Sequence, residues 1–266
     1  MASAPATISS ESISKKFAAL KAAGRRALIP YITAGHPDEE RTVGLLHALT
    51  DAGADIIELG LPFSDPMADG PVIQASSQRA LERGMNFDRL LELVSRAKPR
   101  VPLVLFSYLN PVLAAGTDAL SRAADAGFHG ILLTDLPVGA DPSREAWIGA
   151  SPLEFIRLVA PTTPADRMKE IASHGSGFVY LISRLGVTGM RDTMSVELPA
   201  TVKRLREASS LPVAVGFGVS RPDQAAEVAR IADGVVVGSA IVKAAGESVD
   251  AAARLTSSLR SAIDNI

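Results

Sequence analysis

The sequence predicts a closed (β/α)8 barrel. Apolar, strand-like runs recur at 27–33, 55–60, 103–107, 130–135, 154–159, 178–183, 212–216 and 234–238, and segments of helical periodicity separate them. Strand and helix alternating on eight strands is the pattern of that fold. The competing architecture, an open doubly wound sheet, normally carries a glycine-rich dinucleotide turn after its first strand, and 31–37 has no such turn. No shift in composition divides the chain. The whole length, 1–266, therefore reads as a single barrel domain, with 1–11 as a short flexible leader.

Taken in order, the elements support this. Ile13, Phe17 and Leu20 fall on one face of a helix expected over 12–23, ahead of the first strand. Helical periodicity follows at 39–52 and returns at 87–97, 119–126, 165–173, 198–208 and 222–229, each time between two strand-like runs. The second run, Ala54-Asp55-Ile56-Ile57-Glu58-Leu59-Gly60, is a buried strand with its one late acid at the carboxyl end. Three prolines between 62 and 71 stop it from continuing, and a helix is expected only from Val72. After the eighth run, Gly238-Ser239 opens a short helical segment at 240–245.

Composition removes several classes of function. Hydrophobic residues make up 47% and charged residues 21%, which suits a globular core. A net charge of −2 provides no basic field for nucleic acid or anionic membrane, so any anion must be held by a local site. With no cysteine there are no disulfides and no thiolate chemistry. Residues 1–11 lack the pattern of a secretion signal, and no apolar run is long enough to span a bilayer. A cytoplasmic protein is the simplest reading. His36, His47, His129 and His174 are dispersed without metal-ligand spacing and read as surface or helix-end residues, so no metal is expected. No strand-like run ends in lysine, which argues against a Schiff base.

Two constellations stand out. Barrel enzymes place reactive groups at strand carboxyl ends, and Glu58 is there, among apolar neighbours that favour its neutral form. It is a candidate proton donor; the alternative is a loop cap or a partner for a distant arginine. Asp69, brought back over the strand end, is a second candidate, although Asp before Gly also forms turns. Asp65 reads as a loop residue receiving backbone N–H bonds. The second constellation is Gly216-Phe217-Gly218 after the seventh run and Gly238-Ser239 after the eighth, where converging backbone N–H groups suit a phosphate. The long, glycine-punctuated stretch 184–194 reads either as a lid or as a plain surface loop.

The segment Glu-Leu-Gly-x-Pro-Phe-Ser-Asp-Pro-x-Ala-Asp-Gly-Pro-x-Ile-Gln at 58–74 resembles the most specific stretch of the tryptophan synthase α subunit family. The resemblance continues in order through 29–35, 107–111, 135–137, 158–163, 183–189, 216–220 and 238–242. It implies retro-aldol cleavage of indole-3-glycerol phosphate, with Glu58 shuttling protons and Asp69 accepting the indole N–H. It also implies an indole pocket walled by Tyr31, Phe106, Leu132, Thr134, Val159 and Phe217, with Tyr180 near the glutamate. Thr188 would bond Asp69 when the lid closes, and Gly189, Gly218, Gly238 and Ser239 would hold the phosphate. The resemblance further implies no cofactor in this chain, an α2β2 assembly with a pyridoxal-phosphate-dependent β subunit, and a partner-facing rim with Asp65, Asn110 and Pro137. Residues 138–142 depart from the family's usual acids. Alternatives are a free-standing lyase and a weakly catalytic subunit that mainly activates its partner.

Overall fold

In the computed structural model, which describes residues 11–182, 197–216 and 218–266, eight parallel strands pair in chain order and close into a barrel. They are β1 (Ala27–Thr33), β2 (Ile57–Gly60), β3 (Leu103–Ser107), β4 (Gly130–Leu133), β5 (Glu154–Val159), β6 (Val179–Ile182), β7 (Val213–Gly216) and β8 (Gly234–Val237). Closure is made by Ala27, Leu28, Ile29 and Pro30 in register with Gly234, Val235, Val236 and Val237. The expected strand runs thus all form strands in the expected order, with ends shifted by a residue or two.

Side chains alternate along each strand and so divide into two layers. Leu28, Ile57, Leu59, Leu103, Leu105 and Ile131 belong to the layer between sheet and helices. Ile29, Ile56, Val104, Leu132, Ile156 and Phe178 fill the barrel interior. The interior would be open at the strand amino ends, but α1 (Ile13–Ala22) closes it by adding Ile13, Phe17 and Leu20 to the same cluster. The Glu154 carboxylate at the start of β5 accepts the Ile13 N–H at 2.7 Å, satisfying a donor that a helix N-terminus leaves free.

The outer helices follow the apolar periodicity: α2 (Glu39–Asp51), α3 (Pro71–Glu82), α4 (Phe87–Ala97), α5 (Leu109–Ala114), α6 (Ala119–Ala126), α7 (Pro142–Gly149), α8 (Ala165–Ser173), α9 (Leu198–Ala208), α10 (Pro222–Ile231), α11 (Ser239–Glu247) and α12 (Val249–Asp264). Four depart from expectation. Helix α3 starts on Pro71 and not after it, because a first-turn proline has its dihedral preset and needs no N–H partner. The same tolerance lets Asn110 and Pro111 sit in the first turn of α5, where a loop was expected. Helices α7, capped by Asp141, and α12, capped by Ser248, have no counterpart among the expected helical segments. A further correction concerns His36, which is buried at 5% exposure in the loop after β1 and is not a surface residue.

At the barrel base, Arg260 of α12 reaches Asp55 at 3.0 Å and the Arg26 carbonyl, while Asp55 also accepts the Leu28 N–H. Both charged side chains are almost fully buried, so removing one strands the other. Arg260→Met is expected to cost about 3–5 kcal/mol in urea unfolding, the range for a broken buried pair.

Candidate active site

Glu58 lies between Ile57 and Leu59, which face the helices, so the pleat turns its carboxyl group into the barrel near the strand carboxyl ends. It is 1% exposed, and its Oε1 atom is buried without a hydrogen-bond partner among the described residues. Burial alone pushes its pKa up to about 8. A carboxyl group this isolated holds its proton at neutral pH and can donate it.

Asp69 comes from the loop after β2, just before α3. The loop is pinned from the next strand: Tyr108, after β3, accepts the Ala68 N–H at 2.9 Å and donates its hydroxyl to Asp69 Oδ2 at 3.1 Å. Partial burial raises the Asp69 pKa to about 6, with the Tyr108 hydrogen bond opposing the rise by stabilising the charged form. The two carboxyl groups therefore differ at pH 7, Glu58 protonated and Asp69 ionised. Tyr108 falls within the matching stretch 107–111 but is not among the site residues expected from the sequence. A tyrosine just past the third strand was the available signal; its aim at Asp69 is a tertiary fact.

Both carboxyl groups line one cavity of about 100 Å³ with Tyr31, Phe106, Tyr180, Ile73, Val236, Gly218, Gly238 and Ser239. Tyr31 and Phe106 meet edge to face, with ring centroids 5.1 Å apart. Tyr31 and Tyr180 each lean over a glycine of the next strand: a Cβ on Gly60 would lie 2.1 Å from Tyr31 Oη, and one on Gly216 would lie 2.1 Å from Tyr180 Oη. Those glycines end β2 and β7, so the absent side chains make the room that the rings occupy.

At the other side of the cavity, Gly238 caps α11 and Ser239 opens it, which turns a helix N-terminus toward the cavity. Gly218 stands beside them with φ +93°, a conformation suited to glycine. This corner can hold an anion by backbone N–H groups.

Not every expected residue reaches the cavity. Leu132 belongs to the interior cluster and Val159 to the layer between sheet and helices, and neither lines the hollow. Thr134 also stays outside its lining, and its hydroxyl bonds to the Ser107 carbonyl and Tyr108. Thr188, Gly189 and Phe217, like the whole stretch 184–194, lie outside the described residues. Asp65, Asn110 and Pro137 are exposed and follow β2, β3 and β4 on the carboxyl rim. The Asp65 carboxylate accepts the Ser64 hydroxyl at 2.5 Å, not the expected backbone N–H groups. Among the described residues no group of His, Asp or Glu could hold a metal ion, and no helix is long and apolar enough to cross a membrane.

A family model described as tryptophan synthase alpha chain matches residues 17–265. The tryptophan synthase alpha chain of Phenylobacterium zucineum is 44% identical over 259 residues, covering 96% of this chain and 93% of that one. That of Laribacter hongkongensis is 46% identical, covering 95% and 98%. Among solved structures, the tryptophan synthase subunit alpha from Legionella pneumophila superposes with a TM-score of 0.87 at 39% identity, covering 96% and 98%.

Removing the Tyr108 hydroxyl takes away the bond that favours charged Asp69. Tyr108→Phe is expected to move the Asp69 pKa upward from about 6, read by carboxyl-carbon NMR titration.

Proposed function

The chain belongs to the tryptophan synthase alpha chain family, whose lyase reaction cleaves indole-3-glycerol phosphate to indole and glyceraldehyde 3-phosphate, and we propose that Glu58 and Asp69 divide that chemistry. The supporting observation is the opposite resting state of two carboxyl groups that share one cavity. Cleavage requires a proton on indole C3 and loss of the proton from the neighbouring glycerol hydroxyl. Neutral Glu58 donates to C3, the carbon–carbon bond breaks, and the hydroxyl proton returns to Glu58 as the aldehyde forms. Ionised Asp69 accepts the ring N–H and balances positive charge developing on the indole. Tyr31, Phe106 and Tyr180 supply the aromatic walls, and Gly218, Gly238 and Ser239 face the phosphate. No step asks for a cofactor in this chain.

The partner of an alpha chain is a β chain, and we place its docking surface on the rim that carries Asp65, Asn110 and Pro137. The exposure of all three on one rim supports this reading. An α2β2 assembly with pyridoxal phosphate in the β chain, acting in the cytoplasm, completes the proposal.

Indole release from indole-3-glycerol phosphate by the purified chain tests the assignment. Glu58→Gln keeps the shape but cannot carry a proton, and turnover is expected to fall by at least about 100-fold. Asp69→Asn should be similarly impaired, because an amide cannot balance ring charge. In the wild type, kcat/KM should be bell-shaped in pH. It declines below about 6 as Asp69 takes up a proton and above about 8 as Glu58 loses one. A flat profile across this range removes the pair from the mechanism.

A further inference from the structure

The loop after β4 is held from behind by charged side chains that the reaction does not use. Arg157 sits on β5 between Ile156 and Leu158, which turn toward the barrel interior, so it points into the apolar layer between sheet and helices. It is 4% exposed, and its guanidinium stacks 3.7 Å above the Phe155 ring. All of its nitrogens are engaged: Nε donates to the His174 carbonyl at 3.1 Å, Nη1 to the Leu136 carbonyl at 3.3 Å, and Nη2 to Glu145 Oε2 at 2.7 Å. The other oxygen of Glu145 accepts the Gly139 N–H at 2.7 Å, and Arg167 of α8 donates to the Val138 carbonyl. Leu136, Val138 and Gly139 are thus tied, through backbone atoms, to β5, α7 and α8.

The opposite side of the loop is free. Asp135, Pro137, Gly139 and Ala140 are exposed, while Leu136 and Val138 are buried. Asp135 also accepts the Leu109 N–H at 2.7 Å, joining this loop to the turn that carries Asn110. Apolar residues of similar volume often stabilise a fold as well as a buried ion pair does. They could not donate to one loop carbonyl and accept from a loop N–H. The arrangement spends charge burial on loop shape.

We propose that the Arg157–Glu145 pair is a positioning anchor that holds the loop after β4 in the shape on which the β chain docks. This rests on the reading above that the carboxyl rim binds that chain. A loop already ordered loses less conformational freedom on binding, so the anchor acts on affinity and leaves the chemistry alone.

The test uses the full chain with its cognate β chain. Glu145→Gln weakens the anchor, and the paired replacement Arg157→Met with Glu145→Leu removes it while avoiding a stranded charge. For the paired variant, calorimetric titration is expected to show Kd raised about tenfold, the order of ordering one loop residue on binding. Indole release by the isolated variant should match the wild type, and saturating β chain should restore the full rate of the complex. Unchanged Kd in a folded variant overturns the anchor, as does a loss of isolated activity that parallels the loss of affinity. A wild-type chain that does not bind the β chain at all overturns the partner reading and the anchor with it. Hydrogen exchange on the wild type gives an answer even where a variant does not fold. Slow exchange at the Gly139 amide supports the anchor, and exchange as fast as at exposed Ala140 overturns it.

Discussion

Closure of the sheet, made where β1 pairs with β8, is the constraint on which everything else rests. Because all eight strands are parallel, closing them into a ring sends every carboxyl end to one rim and every amino end to the other. Glu58 and the loops carrying Asp69, Tyr108 and Gly218 then converge without any of them being adjacent in sequence. The opposite end must be sealed by something else, and α1 does so with Ile13, Phe17 and Leu20. The sealed base completes the apolar interior, and a group buried more deeply within it is more fully desolvated than one less buried.

That contrast accounts for the difference between the two carboxyl groups. Among the described residues Glu58 has no charged partner and one of its oxygens has no hydrogen-bond donor, so none of them offsets the cost of burying its anion. Asp69 sits nearer the mouth and receives the Tyr108 hydroxyl, which restores part of the solvation that burial removes. The fold sets the two protonation states by depth and by one hydrogen bond.

The rim is linked laterally as well. Tyr108 holds the Ala68–Asp69 segment, the adjacent Leu109 N–H is held by Asp135, and the loop that follows Asp135 is held by Arg157, Glu145 and Arg167. The loop after β4, the turn at 108–109 and the segment carrying Asp69 are thus neighbours joined along the rim.

The sequence by itself determined the barrel, the order of its strands, the amphipathic helix beneath it and the position of Glu58 at a strand end. These depend on local periodicity, on proline and glycine punctuation and on the rule that barrel chemistry gathers at carboxyl ends. Helices α5 and α7 were not legible because each carries proline in its first turn, where the signal for a loop and for a helix start coincide. Tertiary structure alone decided that Tyr31 and Tyr180 lean over Gly60 and Gly216, and that Tyr108 reaches Asp69. It also decided the Arg157–Glu145 pair, whose members lie in separate elements. Each of these depends on which side chains meet between separate elements, and a one-dimensional pattern records the face a residue occupies but not the neighbour it finds there.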